Sequence, residues 1–438
     1  KFDLRRDITF DTRIESAKFD EQNNQWVVRT QNGETLRAQF LITAVGCLSS
    51  ANVPNTPGLD SFSGQWFHTG SWPHDGVNFK GKHVGVIGTG STGIQAIPVI
   101  AKEAEHVTVF QRTANYSLPA NNAPLTEEFK RYAKEHADEI YEVMTTNGNG
   151  HPFRIAPRKA VETSPEELKQ IYEAAWQKGG LQFRATFEDL LTSNEANDTA
   201  AEFIRQKILN VVKDPEMAKV LADIDHPFAA KRPPIDSSYF ETYNRDNISL
   251  VNLRQTPIEE IVPDGIKTSG RTYELDMIVF ATGFDAMTGS LLKLNIQGLN
   301  GRKLNDDWHA GPQTYLGLQI PGYPNLFTIT GPGSPSVLCN LPPAIEQHVE
   351  WITDCIKYMQ SQKLTTVQTS DEASKQWQQE VERAANATLL PQVKHSWYLG
   401  ANVPGKPRVF MPYAGGLQQY REICNDVAAE GYRGLIFS

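Results

Sequence analysis

The sequence predicts an α/β protein with two Rossmann-like dinucleotide-binding domains and a helical insertion. Three observations support this fold class. Residues 81–112 place a glycine-rich turn and an amphipathic stretch between two apolar runs, the pattern of a strand–helix–strand unit. The segments LITAVG (41–46) and VFATGF (279–284) are apolar strands that each end in a small residue and a glycine. Residues 124–228 instead carry apolar side chains at helical spacing.

Composition limits the classes of function. The 438 residues are 39% apolar and 21% charged, enough for two or three domains with their own cores. A net charge of −9 without basic runs argues against a nucleic-acid partner, and no apolar run approaches the length of a membrane helix. Cys47, Cys339, Cys355 and Cys424 are scattered, without C-x-x-C or metal-ligand spacing. We therefore expect reduced thiols, no metal site and a cytoplasmic protein.

The elements follow in order along the chain. The first 46 residues contain three predicted strands separated by turn sequences; because they start mid-pattern without an initiator Met or targeting segment, we expect the chain to begin inside a domain. In the helical region, Ser164 and Pro165 are the N-cap and first residue of one predicted helix. Later strands are predicted in NISLVNL, YELDMIVFATGFDA and YPNLFTITG, and later helices in PAIEQHVEWITDCIKYMQ, in residues 371–390 and in GLQQYREICNDVAAEGY.

Gly88, Gly90 and Gly93 form a G-x-G-x-x-G sequence between the first strand and the helix of residues 81–112. In dinucleotide-binding units the first glycine makes the tight turn, the second admits the pyrophosphate and the third lets the helix pack closely. The amides of the helix N-terminus then bind phosphate. Because the second strand follows at the expected distance, the motif favours a dinucleotide site over a glycine turn of another α/β fold.

The end of that second strand distinguishes between dinucleotides. NAD-binding units place a carboxylate there for the ribose 2′-hydroxyl, whereas this chain has Gln111, Arg112 and Thr113. A guanidinium suits a 2′-phosphate, so NADP(H) is favoured over NAD(H); the alternative for Arg112 is a solvated charge at a strand end. The two glycine-terminated strands, taken as a pair, suggest a second nucleotide domain and a flavoprotein.

An aromatic stretch, FSGQWFHTGSWP (62–73), which is expected to be a loop, stands just before the glycine turn. Its fixed positions are Phe62, Gly64, His68, Thr69, Trp72 and Pro73. This spacing resembles F-x-G-x-x-x-H-T-x-x-W-P, the fingerprint of type I Baeyer–Villiger monooxygenases. Further segments similar to that family are GTGSTGIQ, VFQRTANYSLPA, AKRPPIDSSYFETYNRDNISL, ATGFDA, GPGSPSVLCN and SWYLGANVPGKPRVF, so the resemblance covers essentially the whole chain. Residues from 312 onward look most like the phenylacetone and steroid monooxygenase branch, and YFETYNRDN looks like the cyclohexanone branch.

The resemblance implies two cofactors, FAD and NADP(H), and a flavin-dependent oxygenation. In that family NADPH reduces the flavin, O₂ converts it to a C4a-peroxyflavin, and a ketone becomes an ester or lactone; sulfides are expected to become sulfoxides. We expect a monomer that binds a small-molecule ketone and O₂, with no nucleic-acid or membrane partner. The mixed features of the two branches name no single ketone.

The resemblance also assigns the site residues. Arg232 matches the catalytic arginine, because a permanent cation in a dry site stabilises a peroxide anion; without the family, Lys231-Arg232-Pro-Pro is typical of a solvated basic loop. Lys231, Arg112 and Thr113 are assigned to the 2′-phosphate. The glycine turn is assigned to the pyrophosphate through Gly88, Thr89, Gly90, Ser91, Thr92, Gly93, Ile94 and Gln95. The remaining positions are Trp397 at the NADP ribose, Leu341 at the flavin ring, Ile14 at the FAD adenine, and Ser336, Val337 and Leu338 at the substrate.

His68 is expected to be structural rather than an acid or base. It would tie the linker between the domains while Trp72 and Pro73 stiffen the hinge, so that nucleotide binding reaches the flavin domain through a two-state shift. The expected domains are 1–50 with 285–438 for FAD, 51–77 for the linker and fingerprint, 78–117 with 231–284 for NADP, and 118–230 for the helical insertion.

One departure from the family keeps two alternatives open. The family has an N-terminal FAD-binding G-x-G-x-x-G and an Asp that assists the catalytic arginine; neither occurs here, which predicts a missing segment of about 100 residues, the size of a small domain. The chain could then be a catalytically inactive NADP(H)-binding fragment. A flavin-containing N-hydroxylating monooxygenase is the other alternative, although that group has a shorter H-x-x-x-Y/F ending. The absence of a close cysteine pair, G-x-S-x-G and H-E-x-x-H argues against a disulfide reductase or hydrolase.

Overall fold

A computed structural model describes residues 2–438. The first strands are β1 (Ile14–Asp20), β2 (Gln25–Thr30), β3 (Thr35–Ala38), β4 (Leu41–Thr43) and β5 (Gln65–His68), of which β1 and β2 show alternating burial. The glycine turn then lies between β6 (His83–Ile87) and α1 (Ser91–Ile100), and β7 (His106–Gln111) and the short β8 (Leu118–Pro119) follow. The predicted strand–helix–strand unit is therefore present.

Five helices form the predicted insertion: α2 (Glu127–Glu135), α3 (Ala137–Thr145), α4 (Pro165–Lys178), α5 (Asn194–Val211) and α6 (Pro215–Ala222). The Ser164 side chain accepts a hydrogen bond from the amide of Glu167, which confirms it as the N-cap of α4. Two stretches with helical periodicity each form two helices: one forms α2 and α3, and another forms α5 and α6. The break between α5 and α6 occurs because Pro215 cannot continue a helix and instead starts a new one, capped by the Asp214 carboxylate.

The rest of the chain is mixed. Up to the second glycine-terminated strand it contains β9 (Ile235–Asp236), α7 (Tyr239–Thr242), β10 (Ile248–Asn252), β11 (Ile258–Val262), β12 (Gly265–Thr268), β13 (Thr272–Glu274) and β14 (Met277–Phe280). Beyond it are α8 (Gly289–Leu292), β15 (Ile296–Gln297), α9 (Leu304–Asp307), β16 (Leu326–Thr328), α10 (Leu341–Gln362), β17 (Val367–Thr369), α11 (Asp371–Asn386), α12 (Leu417–Ala429) and β18 (Leu435–Phe437).

The central sheet has the strand order β10-β7-β6-β14-β5, and all of its neighbours are parallel. This confirms the predicted α/β class. The edge strand β5 differs from the prediction, because the whole aromatic stretch 62–73 was expected to be a loop. Residues 65–68 instead pair in register with β14, since a parallel neighbour satisfies their backbone groups.

Two faces of this sheet are buried against different layers. One face packs on α1 and on the helical insertion, which shares a single apolar core with it; Val84, Val107 and Ile204 are fully buried there. The other face packs on the antiparallel meander β11-β12-β13 through Phe110 and Phe280. Because the carboxyl ends of all five parallel strands meet at one edge, this edge holds the candidate site.

The remaining strands form smaller sheets. β1 pairs with β15, β2 pairs with β1 and β3, and β4 pairs with β16. A separate core packs α10, α11 and α12 together. The four cysteines are free and buried. Within residues 2–438, no helix combines the length and apolarity of a bilayer-crossing segment, and no three His, Cys, Asp or Glu side chains are grouped for a metal ion.

Candidate functional site

The glycine turn has the geometry that each glycine position predicts. Gly88 has φ of +109°, and a side chain there would lie 2.6 Å from the carbonyl oxygen of Ala281. A side chain at Gly93 would clash with the carbonyl of Gly88, so α1 packs closely on the turn. Gly90 faces open space with no atom within 4 Å of a Cβ position, which leaves its backbone accessible. These residues fit the pyrophosphate of a dinucleotide.

The side chains of the turn differ in what they can contact. The Thr89 hydroxyl donates to the carbonyl of Thr113 at 2.9 Å and so ties the turn to the end of β7. Ile94 is fully buried in the core, and its side chain therefore does not line the surface of the site. The exposed side chains at the start of α1 are Ser91, Thr92 and Gln95.

Positive charge gathers beside the end of β7. Arg112 is exposed, and the Nε of Arg254 donates to the Arg112 carbonyl at 2.9 Å. Lys231 is half-buried; burial lowers the pKa of its ammonium to about 8, with Arg112 and Arg254 adding to the decrease and Asp225 opposing it. Asp225 in turn pairs with Arg254 at 2.6 Å. Three cations close together, where an acidic residue would select NAD, fit a 2′-phosphate.

Arg254 was missed in the sequence because it lies 142 positions from Arg112. Its position could have been found: it follows β10, the neighbour of β7 in the sheet, and the carboxyl ends of neighbouring parallel strands meet.

A C-terminal loop reaches the same cluster. Burial lowers the pKa of the His395 imidazole, and Arg112 and Lys231 lie near enough to lower it further. Two residues later, Trp397 is half-buried, with its ring centroid 4.5 Å from that of Tyr398. The structure therefore brings the loop of Trp397 to the cations assigned to NADP.

A narrow cavity of about 20 Å³ includes both Tyr398 and Arg232 in its wall. The Nη1 of Arg232 donates to the carbonyl of Val337 at 3.4 Å, and Leu338 also lines the cavity. The residue is exposed, although a dry surrounding was expected for it. Its chain neighbour Lys231 lies with Arg112 and Arg254 in the group of cations that we call the phosphate cluster. Two consecutive residues therefore lie in two sites.

Ser336 is placed differently from the other two predicted substrate contacts. It is fully buried and its hydroxyl points to the sulfur of Met287 at 4.0 Å, outside the cavity wall. Its φ of +36° is uncommon for a residue with a side chain and shapes the turn that presents Val337 and Leu338.

The two residues expected at FAD lie at the ends of elements. Ile14 begins β1 and packs at the margin of the core around Trp26, and Leu341 begins the 22-residue helix α10; both are half-buried. The first turn of α10 offers few donors, because Pro342 and Pro343 carry no N–H and the Asn340 amide donates to the carbonyl of Asn149. The placement of Ile14 and Leu341 at FAD stays a prediction.

The aromatic fingerprint packs against the end of β14. His68 is 3% exposed; its Nδ1 accepts from the amide of Gly70 at 3.0 Å, and its ring meets Phe284 edge-on at 6.0 Å. Burial lowers the pKa of the imidazole, so it is neutral at pH 7. His68 is not in the cavity wall that holds Arg232, and its contacts are those of a packing residue.

The other fingerprint positions have packing roles as well. A side chain at Gly64 would clash with the carbonyl of Asp276 and the ring of Phe62. The Thr69 hydroxyl donates to the carbonyl of Phe280 at 3.4 Å. Trp72 lies between the rings of Phe67 and Phe79, at centroid distances of 5.7 and 6.2 Å, and Pro73 follows it where the chain turns.

Several known proteins are similar to this chain in sequence and architecture. Residues 1–122 match the flavin-binding monooxygenase-like family. The cyclohexanone 1,2-monooxygenase of Acinetobacter sp is 42% identical over 99% of this chain and 80% of its own length. A Baeyer-Villiger monooxygenase of Pseudooceanicola batsensis is 42% identical over 99% of this chain and 79% of its length. An oxidized steroid monooxygenase solved with NADP superposes with a TM-score of 0.93 at 51% identity, covering 100% of this chain and 82% of that one. This chain belongs to the Baeyer–Villiger monooxygenases, flavoprotein oxygenases that use FAD and NADP(H).

Proposed function

We propose that this chain oxidises small ketones to esters or lactones, with Arg232 as the catalytic cation and Lys231, Arg112 and Arg254 as the receptor of the NADP 2′-phosphate. The observation that carries the assignment is the peptide Lys231-Arg232. One of its side chains joins the phosphate cluster and the other lines the cavity, so the nucleotide and the reacting group are held a fixed distance apart.

When bound, the flavin and nicotinamide supply hydride transfer and the activation of O₂. The residues of this chain bind, orient and stabilise charge. Arg232 offers a guanidinium cation beside the negative charge that develops on the substrate oxygen. His151 lies in the same cavity wall; burial, then Arg232 and Arg184, lower the pKa of its imidazole to about 4. His151 is therefore neutral at pH 7 and adds no third positive charge.

The cavity wall also favours an apolar substrate body. Leu181, Leu338 and Leu390 line it beside the arginines. A sulfide presents a similar apolar body with a polarisable reacting atom, and its oxidation to a sulfoxide stays a prediction. The monomeric state and the cytoplasmic location also stay predictions; the four free buried thiols support a reducing compartment.

Replacing Arg232 tests the assignment. In the FAD-loaded protein, Arg232→Ala should lower the rate of ketone-dependent ester formation by about 10²–10³, as for loss of one preorganised charge-stabilising group. Reduction of the flavin by NADPH should persist, because the phosphate cluster is intact. Anaerobic stopped-flow absorbance measures the reduction and gas chromatography measures the ester. Arg131→Ala, an exposed arginine of α2, is the control and should leave both unchanged. Wild-type ester formation by Arg232→Ala would remove Arg232 from the catalytic role.

A further inference from the structure

A second arginine lines the cavity of Arg232. Arg184 lies in the short helical turn Gly180–Ala185, which follows α4 in the insertion. Its chain neighbours Phe183 and Ala185 are buried, and Phe183 packs in the insertion core. The backbone is therefore held on both sides of Arg184, and its side chain is half-buried at the cavity.

Arg184 has no anion beside it. Within residues 2–438 it forms no ion pair and its guanidinium donates no hydrogen bond; the ionisable groups that act on it are the Tyr398 hydroxyl, which is neutral, and, unfavourably, Arg232. Burial lowers the pKa of its guanidinium. Some half-buried cations of this chain have carboxylate partners, such as Lys207 with Glu173 at 2.6 Å, whereas Arg421, like Arg184, forms no ion pair within residues 2–438.

A half-buried cation without a counter-charge is costly, and a second cation in the same wall increases that cost. The cost is offset when an anion binds to Arg184. The cavity volume of about 20 Å³ leaves room beside Arg184 for a water-sized polar group. A carboxylate oxygen has that size, and guanidinium groups bind carboxylates with short charge-assisted hydrogen bonds.

We propose that Arg184 recognises a carboxylate on the ketone substrate, so that this enzyme prefers keto acids to neutral ketones. The inference rests on the proposed function, in which Arg232 faces the reacting carbonyl. Arg232 then acts on the carbonyl and Arg184 holds the carboxylate of the same substrate.

A pair of matched ketones tests the preference. With the FAD-loaded protein and NADPH, 4-oxocyclohexanecarboxylate should have a kcat/KM about 10- to 100-fold above that of its methyl ester, the range for a hydrogen bond to a charged group. Arg184→Leu should remove this ratio by lowering kcat/KM for the acid while changing that for the ester little. Arg184→Lys should retain part of it, and Arg131→Leu should retain all of it. An unchanged ratio in Arg184→Leu overturns the inference.

Binding gives a readout that does not depend on turnover. Isothermal titration calorimetry should show cyclohexanecarboxylate binding at least about tenfold more tightly than cyclohexanecarboxamide to the wild type, and equally weakly to Arg184→Leu. Equal binding of acid and amide to the wild type overturns the inference. Turnover of the methyl ester without acid preference leaves the proposed function standing and rejects the role of Arg184. Absence of turnover with both ketones rejects the proposed function, while calorimetry still decides the role of Arg184.

Discussion

At the scale of single residues, two neighbouring cations lie in two different parts of the site. Lys231 and Arg232 are neighbours in the chain, yet one is half-buried among Arg112, Arg254 and Asp225 and the other lies at the cavity. A cation that shares a cluster with other cations loses part of its preference for the protonated form. Lys231 therefore titrates near pH 8.

The titration of Lys231 predicts a pH dependence of NADPH use. Its pKa is about 8, lowered mainly by burial, so it is charged below pH 8 and loses its charge as the pH rises through that value. Because the neutral amine no longer attracts the 2′-phosphate, KM for NADPH should rise about tenfold between pH 7 and pH 9.5. Steady-state kinetics across this range measures it.

Two controls isolate the role of Lys231. Lys231→Arg should make KM for NADPH independent of pH, since a guanidinium stays charged. NADH lacks the 2′-phosphate, so its KM should not change with pH in the wild type. The imidazole of His395, with its lowered pKa, is already neutral at pH 7 and does not titrate in this window. A KM for NADPH that stays constant from pH 7 to pH 9.5 would contradict the assignment of Lys231.

At the scale of elements, the turn before α1 contains one glycine that packing requires, Gly93, and one whose backbone is accessible to the nucleotide, Gly90. Gly93→Ala introduces a methyl group against the carbonyl of Gly88 and should destabilise the protein by about 1–3 kcal/mol while weakening NADP⁺ binding. Gly90→Ala puts its methyl group in open space at φ of −82°, so the free energy of unfolding should change little while NADP⁺ binding weakens at least as much. Urea unfolding and titration calorimetry measure the two effects. Equal destabilisation by both variants would show that Gly90 serves packing only.

The edge strand β5 predicts how the fingerprint acts. His68 contacts Gly70 and Phe284, and β5 pairs with β14, so the histidine joins the fingerprint to the glycine end of that strand. If it positions this junction, His68→Ala should bind NADP⁺ normally but yield less ester per NADPH oxidised. The exposed His74 supplies the control His74→Ala, which should keep the wild-type ratio. Loss of NADP⁺ affinity in His68→Ala with an unchanged ratio would argue for a binding role instead.

At the scale of the whole molecule, one ion pair connects distant segments. The Nζ of Lys406 lies 2.5 Å from the carboxylate of Asp285 and 2.7 Å from the carbonyl of Ala286. These contacts hold the C-terminal loop against the segment that follows β14. The side chains are 11% and 29% exposed, respectively, which places the pair largely out of water. The same loop carries His395 and Trp397 toward the phosphate cluster.

Breaking this pair should cost stability. Lys406→Met leaves the Asp285 charge without its partner and should lower the free energy of unfolding by about 2 kcal/mol, less than for a fully buried pair because Asp285 keeps some water. The double variant Lys406→Met with Asp285→Leu should recover most of the loss. Lys219→Met, which breaks an exposed pair with Glu216, should change stability by less than about 0.5 kcal/mol. Urea unfolding tests all three, and equal losses in the two single variants would assign Lys406 no special role.

Local sequence determined much of this protein. The elements around the glycine turn, the N-cap at Ser164 and the parallel sheet were predictable, because turn chemistry, capping and apolar periodicity act within a few residues. The choice of NADP over NAD rested on Arg112, whose place at the end of β7 follows from the same local pattern. The family motifs added Lys231 and Arg232 but no geometry.

Tertiary structure alone decided which distant residues share a site. Arg254 reaches Arg112 only because β10 pairs with β7, and Arg184 reaches the cavity of Arg232 only because the insertion packs on the sheet. Ser336 points away from that cavity because its left-handed backbone turns its side chain toward Met287. Periodicity and motifs report contacts within an element, whereas charge clusters form between elements. Long-range packing of the sheet, the insertion and the C-terminal loop therefore sets the electrostatics of this site.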